Sequence, residues 1–169
     1  MAPLSRLSAL PRWVIDYAIV ALLAVAVAAW IGWPRGAGLS GEAPAVQLTR
    51  TDGTSFDLAE QRGKPVLLVF WAEWCGTCKS QVPDLNRLHA EHPELEILGI
   101  AVDSGPNEHV ALHARKHGIL FPVAAADDQV AQLYKVPALP TNVFIDAEGQ
   151  ISGTVVGALD LRGMERRLP

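Results

Sequence analysis

Cys75 and Cys78 are the only thiols in the chain, and they stand three positions apart. A pair at that spacing can carry out disulfide exchange. One sulfur attacks as a thiolate, and the other closes the ring and releases the partner. Before the pair, the apolar run 66–71 is rich in the β-branched and aromatic residues that suit a buried strand. After it, Val82, Leu85 and Leu88 recur at spacings of three, a helical pattern. The strand therefore delivers Cys75 to a helix N-terminus, where free N–H groups and the positive end of the dipole stabilise a thiolate. Lys79 adds a positive charge beside Cys78. Half of a zinc site would need a second pair of ligands. A staple across two residues would close too small a loop to stabilise much. Redox exchange is the preferred reading.

The other chemically capable residues weigh less. His109, His113 and His117 are spaced four apart, and an i, i+4 pair can bind a metal. No third ligand is evident beside them, so solvated surface histidines are the expectation. His89 and His92 fall at the end of the helix after the cysteines, where positive charge suits the dipole. Glu73 is the carboxylate nearest the pair in sequence; a solvated surface acid is the expectation, a proton acceptor the alternative. No metal site is predicted.

Several elements must position the pair. The chain has 169 residues and a net charge of −4, enough for one domain and an extension, with no basic field for nucleic acid. Residues 1–12 form a short tail, expected in the cytoplasm. Residues 13–33 are almost all apolar, with Trp13 and Tyr17 at one end and Trp30 and Trp33 at the other. As a helix they span about 32 Å, enough for a hydrocarbon core of about 30 Å. They read as a transmembrane anchor; the alternative is a cleaved signal, for which Ala26-Val27-Ala28 offers a site. Arg6 and Arg12 outnumber Arg35 and keep the N-terminus inside. Residues 34–44, rich in Gly, Pro and Ala, read as a linker, and 45–169 as the folded domain. Segments 46–48 and 56–58 flank an Asp52-Gly53 turn and predict a β-hairpin. Further strands are expected at 95–102, 121–123, 142–145 and 150–156. Helices are expected from Asn107 or Ser104 as cap to 117, from Asp127 or Asp128 to 134, and over 161–168. The fold class is α/β, a mixed sheet covered on both faces.

The stretch FWAEWCGTCK, with Pro83 five residues beyond Cys78 and Leu139-Pro140-Thr141 far downstream, resembles the thioredoxin superfamily. The likeness runs from about residue 45 to 168. The N-terminal hairpin and Arg62-Gly63-Lys64-Pro65 are similar to membrane-anchored periplasmic reductases of the TlpA/ResA type. The stretch Gly157-Ala-Leu-Asp-Leu-Arg-Gly-Met164 is similar to the copper-sensitivity-suppressor branch of that group. The resemblance implies a thioredoxin-like sheet, Cys75 as the exposed nucleophile and Cys78 as the more buried resolving thiol. It implies a cis-proline loop at Leu139 and Pro140 that faces the disulfide. Trp74 would cover the disulfide, the alternative being a core tryptophan. Gly76 and Thr77 would tune the potential. Two departures stand out. Val69 occupies the place of thioredoxin's buried aspartate, and Gln81 that of the ResA glutamate.

The expectation is a single-pass, membrane-anchored thiol–disulfide oxidoreductase, facing the periplasm and reducing disulfides of exported proteins. It would need no cofactor and would draw electrons from a membrane donor of the DsbD type. The alternatives are a disulfide oxidase or isomerase, or a copper(I)-handling protein using the same two sulfurs.

Overall fold

Residues 19–23 and 39–169 are described by the computed structural model of the chain. Two units divide it, Met1–Ala37 and Gly38–Pro169. In the first, residues 19–23 are helical and Ile19, Val20, Leu22 and Leu23 are exposed. The rest of the expected span 13–33 and the tail 1–12 lie outside the described residues. Among the described residues no helix is long and apolar enough to cross a membrane.

The second unit is built on β4 (Val66–Trp71), every residue of which is buried. It is a continuous apolar run because both of its faces are covered. It pairs in parallel with β5 (Glu96–Val102) and antiparallel with β7 (Thr141–Ile145). β5 carries β6 (Val123–Ala126) in parallel, and β7 carries β8 (Gln150–Val156) antiparallel. β1 (Gly41–Glu42) closes the far edge against β8, so the six-stranded order is β1-β8-β7-β4-β5-β6. The expected linker thus gives residues to the sheet before position 45. Two residues whose pairing is purely backbone leave no sequence pattern. The predicted hairpin forms as β2 (Gln47–Thr49) and β3 (Ser55–Asp57). The strand expected at 121–123 begins only at Val123; Phe121 is a buried side chain and Pro122 lends its carbonyl to Gly99 N.

Alternation along β4 sorts the core into two clusters. Leu67, Val69 and Trp71 join Leu85 and Leu88 of α1 (Gly76–Glu91), Val110 and Ala114 of α2 (Asn107–Lys116), and Met164 of α4 (Leu161–Glu165). Val66, Leu68 and Phe70 join Phe56 and Leu58, with Tyr134 at the end of α3 (Asp128–Leu133). Tyr134 stacks at 5.3 Å on Phe70 and donates to the Pro44 carbonyl at 2.6 Å, tying the domain's first residues down. The caps expected for α2 are otherwise engaged. Pro106 is the N-cap and makes no side-chain bond. Asn107 instead bridges Thr49 O and Ala125 N, and Ser104 bridges Val102 O and Glu73 N. α3 is capped by Asp127 as expected. α4 stops at Glu165, short of the predicted end.

Candidate active site

β4 ends at Trp71, and three residues later the chain turns into α1 with Cys75 as its N-cap. Cys75 Sγ accepts a hydrogen bond from Cys78 N at 3.1 Å. A cap that is a sulfur receives the donors that a serine or aspartate would otherwise take. When that sulfur is a thiolate, the same bond is charge-assisted and holds the thiol pKa down. Here the two sulfurs are joined in a disulfide, with Cα atoms 5.3 Å apart. Their residues are nearly equally buried in this disulfide-bonded state, at 6% and 5% exposure.

Around the pair, Trp74 is 65% exposed and its Nε1 donates to Asp103 Oδ2 at 3.2 Å. It is not a core residue, and the alternative reading fails. Gly76 and Thr77 are exposed at the start of α1. A Cβ on Gly76 would meet nothing within 4 Å, so packing does not require glycine there. The Leu139–Pro140 bond is cis. Pro140 is buried and lines the same cavity as Cys78, which brings the two distant motifs together. Leu139 is half-buried and packs against both core clusters. Pro140 O is already taken by Gly157 N at 2.7 Å.

Val69 is 2% exposed and lines that cavity, an apolar wall where the resemblance implies an acid. Gln81 is 1% exposed, one turn beyond Cys78. Its Nε2 donates to Asn142 Oδ1 at 2.7 Å, and its Oε1 accepts from Leu159 N at 3.3 Å. Asn142 in turn donates to Gly157 O at 2.9 Å. A neutral, satisfied amide network thus lies under the second cysteine. Sequence reasoning found Gln81 but missed Asn142, whose only signal was a polar residue inside an apolar strand.

The histidines depart from expectation. His109 is exposed, but His113 and His117 line the cavity with Cys78, Lys79 and Trp71. The His113 ring lies 5.5 Å from Trp71 and 4.2 Å from His117. Burial, and then the neighbouring His117, hold His113 below the ordinary imidazole value; Glu73 opposes them. Glu73 is half-buried, with Oε1 enclosed, and is not the solvated surface acid expected. The histidine spacing was visible in the sequence. The face it occupies was not, because α2 is short and only Val110 and Ala114 are buried on it.

Fold and pair together define a thioredoxin-like thiol–disulfide oxidoreductase. The chain belongs to the AhpC/TSA family, whose model matches residues 39–154. It is 34% identical over 128 residues to the thiol-disulfide oxidoreductase ResA of Geobacillus kaustophilus, covering 75% of this chain and 74% of that one. It is 35% identical over 130 residues to the ResA of Oceanobacillus iheyensis, covering 73% and 67%. A crystal structure of a thiol:disulfide interchange protein of the thioredoxin family from Chlorobium tepidum superposes with a TM-score of 0.69. Sequence identity there is 27%, over 77% of this chain and 94% of the other.

Proposed function

We propose that the chain is a membrane-anchored reductase of disulfides in exported proteins, with Cys75 as nucleophile and Cys78 as resolving thiol. The observation that carries the roles is the capping geometry. Cys75 Sγ sits at the N-cap of a 16-residue helix and receives the Cys78 amide, so negative charge is favoured on Cys75. The Cys75 thiolate attacks a substrate disulfide, forming a mixed disulfide and releasing one substrate thiolate. Cys78 loses its proton and attacks Cys75 Sγ, which forms the intramolecular disulfide and releases the second thiolate. Two electrons pass from the dithiol to the substrate, and a membrane electron donor of the DsbD type returns them. Exposed Trp74, Gly76 and Thr77 form the surface that a substrate chain meets. With Pro140 O committed to Gly157, Leu139 is the loop residue whose backbone is left to offer it.

Apolar composition over 13–33, with exposed apolar side chains on helical residues 19–23, supports the anchor. The similarity of the N-terminal hairpin and Arg62-Gly63-Lys64-Pro65 to membrane-anchored periplasmic reductases supports a site outside the cytoplasm. Alkaline carbonate extraction tests the anchor. The full chain stays with the membrane pellet, and release into the supernatant would contradict the anchored reading. The roles are tested by trapping. Cys78→Ser accumulates covalent complexes with exported proteins that reductant dissolves, and Cys75→Ser accumulates none. Equal trapping by both variants contradicts the assignment.

A further inference from the structure

We propose that the cavity behind Cys78 is a one-water proton-transfer site, in which the His113 imidazole takes the proton that the Cys78 thiol must lose before it attacks. The inference rests on the dithiol reading above. It starts from a requirement of that chemistry. A thiol of ordinary pKa, about 8.5, is mostly protonated at neutral pH, and only its thiolate resolves a mixed disulfide. Cys78 is 5% exposed, so bulk water is a poor acceptor.

The groups around Cys78 narrow the choice. Val69 cannot accept a proton. The Gln81 amide is neutral, and both its oxygen and its nitrogen are engaged with Leu159 and Asn142. Lys79, as an ammonium, holds thiolate charge but takes no proton. Of the side chains lining the cavity, His113 and His117 are the bases. Of these two, only His113 has a ring nitrogen, Nε2, that is buried without a partner among the described residues. Trp71 Nε1 shares that condition, on a side chain only 5% exposed. Buried polar atoms nearly always find a partner, protein or water. The cavity is small, with room for about one water. One water there can accept from Trp71 Nε1 and bridge Cys78 Sγ to His113 Nε2.

Charge around His113 fits an acceptor. Lys79 faces it from α1, and Lys116 and His117 from its own helix; with burial they keep the ring neutral near pH 7. Glu73, from the segment after β4, opposes them and stabilises the imidazolium once formed. The step balances. The Cys78 S–H bond breaks, the water hands a proton to Nε2, and the Cys78 sulfur lone pair forms the bond to Cys75 Sγ. The bond from Cys75 to the substrate sulfur breaks, and the substrate leaves as a thiolate. His113 then returns its proton to solvent.

Stopped-flow reduction of dithiobis(nitrobenzoate) by the full-length reduced protein separates the two steps. The first chromophore leaves when Cys75 attacks, the second when Cys78 resolves. In the parent, the rate of second release rises with pH to a midpoint at the pKa of His113 measured by NMR on the same protein, below about 6.5, and then levels. In His113→Gln the second release is about a hundredfold slower near pH 7. It then climbs tenfold per pH unit toward the thiol's own value, with the first release as internal reference. A parent midpoint that does not coincide with the His113 titration overturns the proposal, and needs no variant to fold. So does a His113→Gln profile that matches the parent's. Loss of any first release from Cys75 instead defeats the dithiol reading itself.

Discussion

Under Cys78 lies a side chain that cannot ionise. Gln81 holds Asn142 and the Leu159 amide, and through Asn142 it reaches Gly157. The network joins α1, β7 and the segment after β8, and it is only 1% exposed at Gln81. Its contribution is best seen by breaking it. Gln81→Leu keeps most of the volume but leaves Asn142 Oδ1 and Leu159 N without partners. We expect a loss of about 2 kcal/mol in urea denaturation, the cost of orphaning buried polar groups. An unchanged midpoint would mean that water replaces the amide. The cysteines were legible in the sequence because type and spacing mark them, whereas Trp74 and Pro140 were legible only through the resemblance to the thioredoxin superfamily. The Gln81–Asn142 contact spans 61 residues, and no local pattern announces it. The buried edge of His113 was illegible for a related reason. Whether a histidine on a short helix meets solvent or a cavity depends on the strand across from it.

At the scale of elements, β4 and α1 do most of the positioning. The strand delivers the turn, and the helix N-terminus receives the sulfur. Behind them β5 must come close, and Gly99 allows it. A Cβ there would lie 2.9 Å from Phe121 and Val123 side-chain atoms and 3.0 Å from Trp71 Nε1. Gly99→Ala therefore pushes on Phe121 and Trp71, two walls of the cavity. The predicted outcome is a stability loss of about 1–3 kcal/mol by thermal or urea unfolding, as overpacking typically costs. A stability equal to the parent's would show that these side chains relax freely. Strand and helix cores matched the sequence pattern because alternation and three-to-four spacing are local. The exceptions have a common cause. β1 is made by pairing with β8, and Asn107 serves the hairpin and β6 rather than its own helix. Each depends on a neighbour that is distant in sequence.

For the whole molecule, the hairpin is an added layer on the redox domain. Arg50 pairs with Glu96 at 2.6 Å with both side chains mostly buried, and Thr51 N donates to Val123 O, so β2 and β3 are fixed to the β5–β6 edge. The hairpin extends the domain on the side of the sheet that β6 closes, while the cysteines open at the far end of β4. Composition sets the apolar stretch 13–33 apart from the rest of the chain, and an Asp52-Gly53 turn between alternating segments marks the hairpin. The direction of electron flow had no such mark, because it depends on the energy of the reduced pair. Val69 and the neutral Gln81 amide themselves put no negative charge beside Cys78. Lys79 and the helix N-terminus favour the thiolate and draw the potential upward; the reducing direction rests on the likeness to the TlpA/ResA-type reductases. The most direct measurement is the reduction potential of the Cys75–Cys78 couple in the full chain, equilibrated against glutathione. A value below about −230 mV, in the range of dithiol reductants, is the predicted result. A value above about −150 mV, toward that of strong dithiol oxidants, would contradict it and make the protein a disulfide donor.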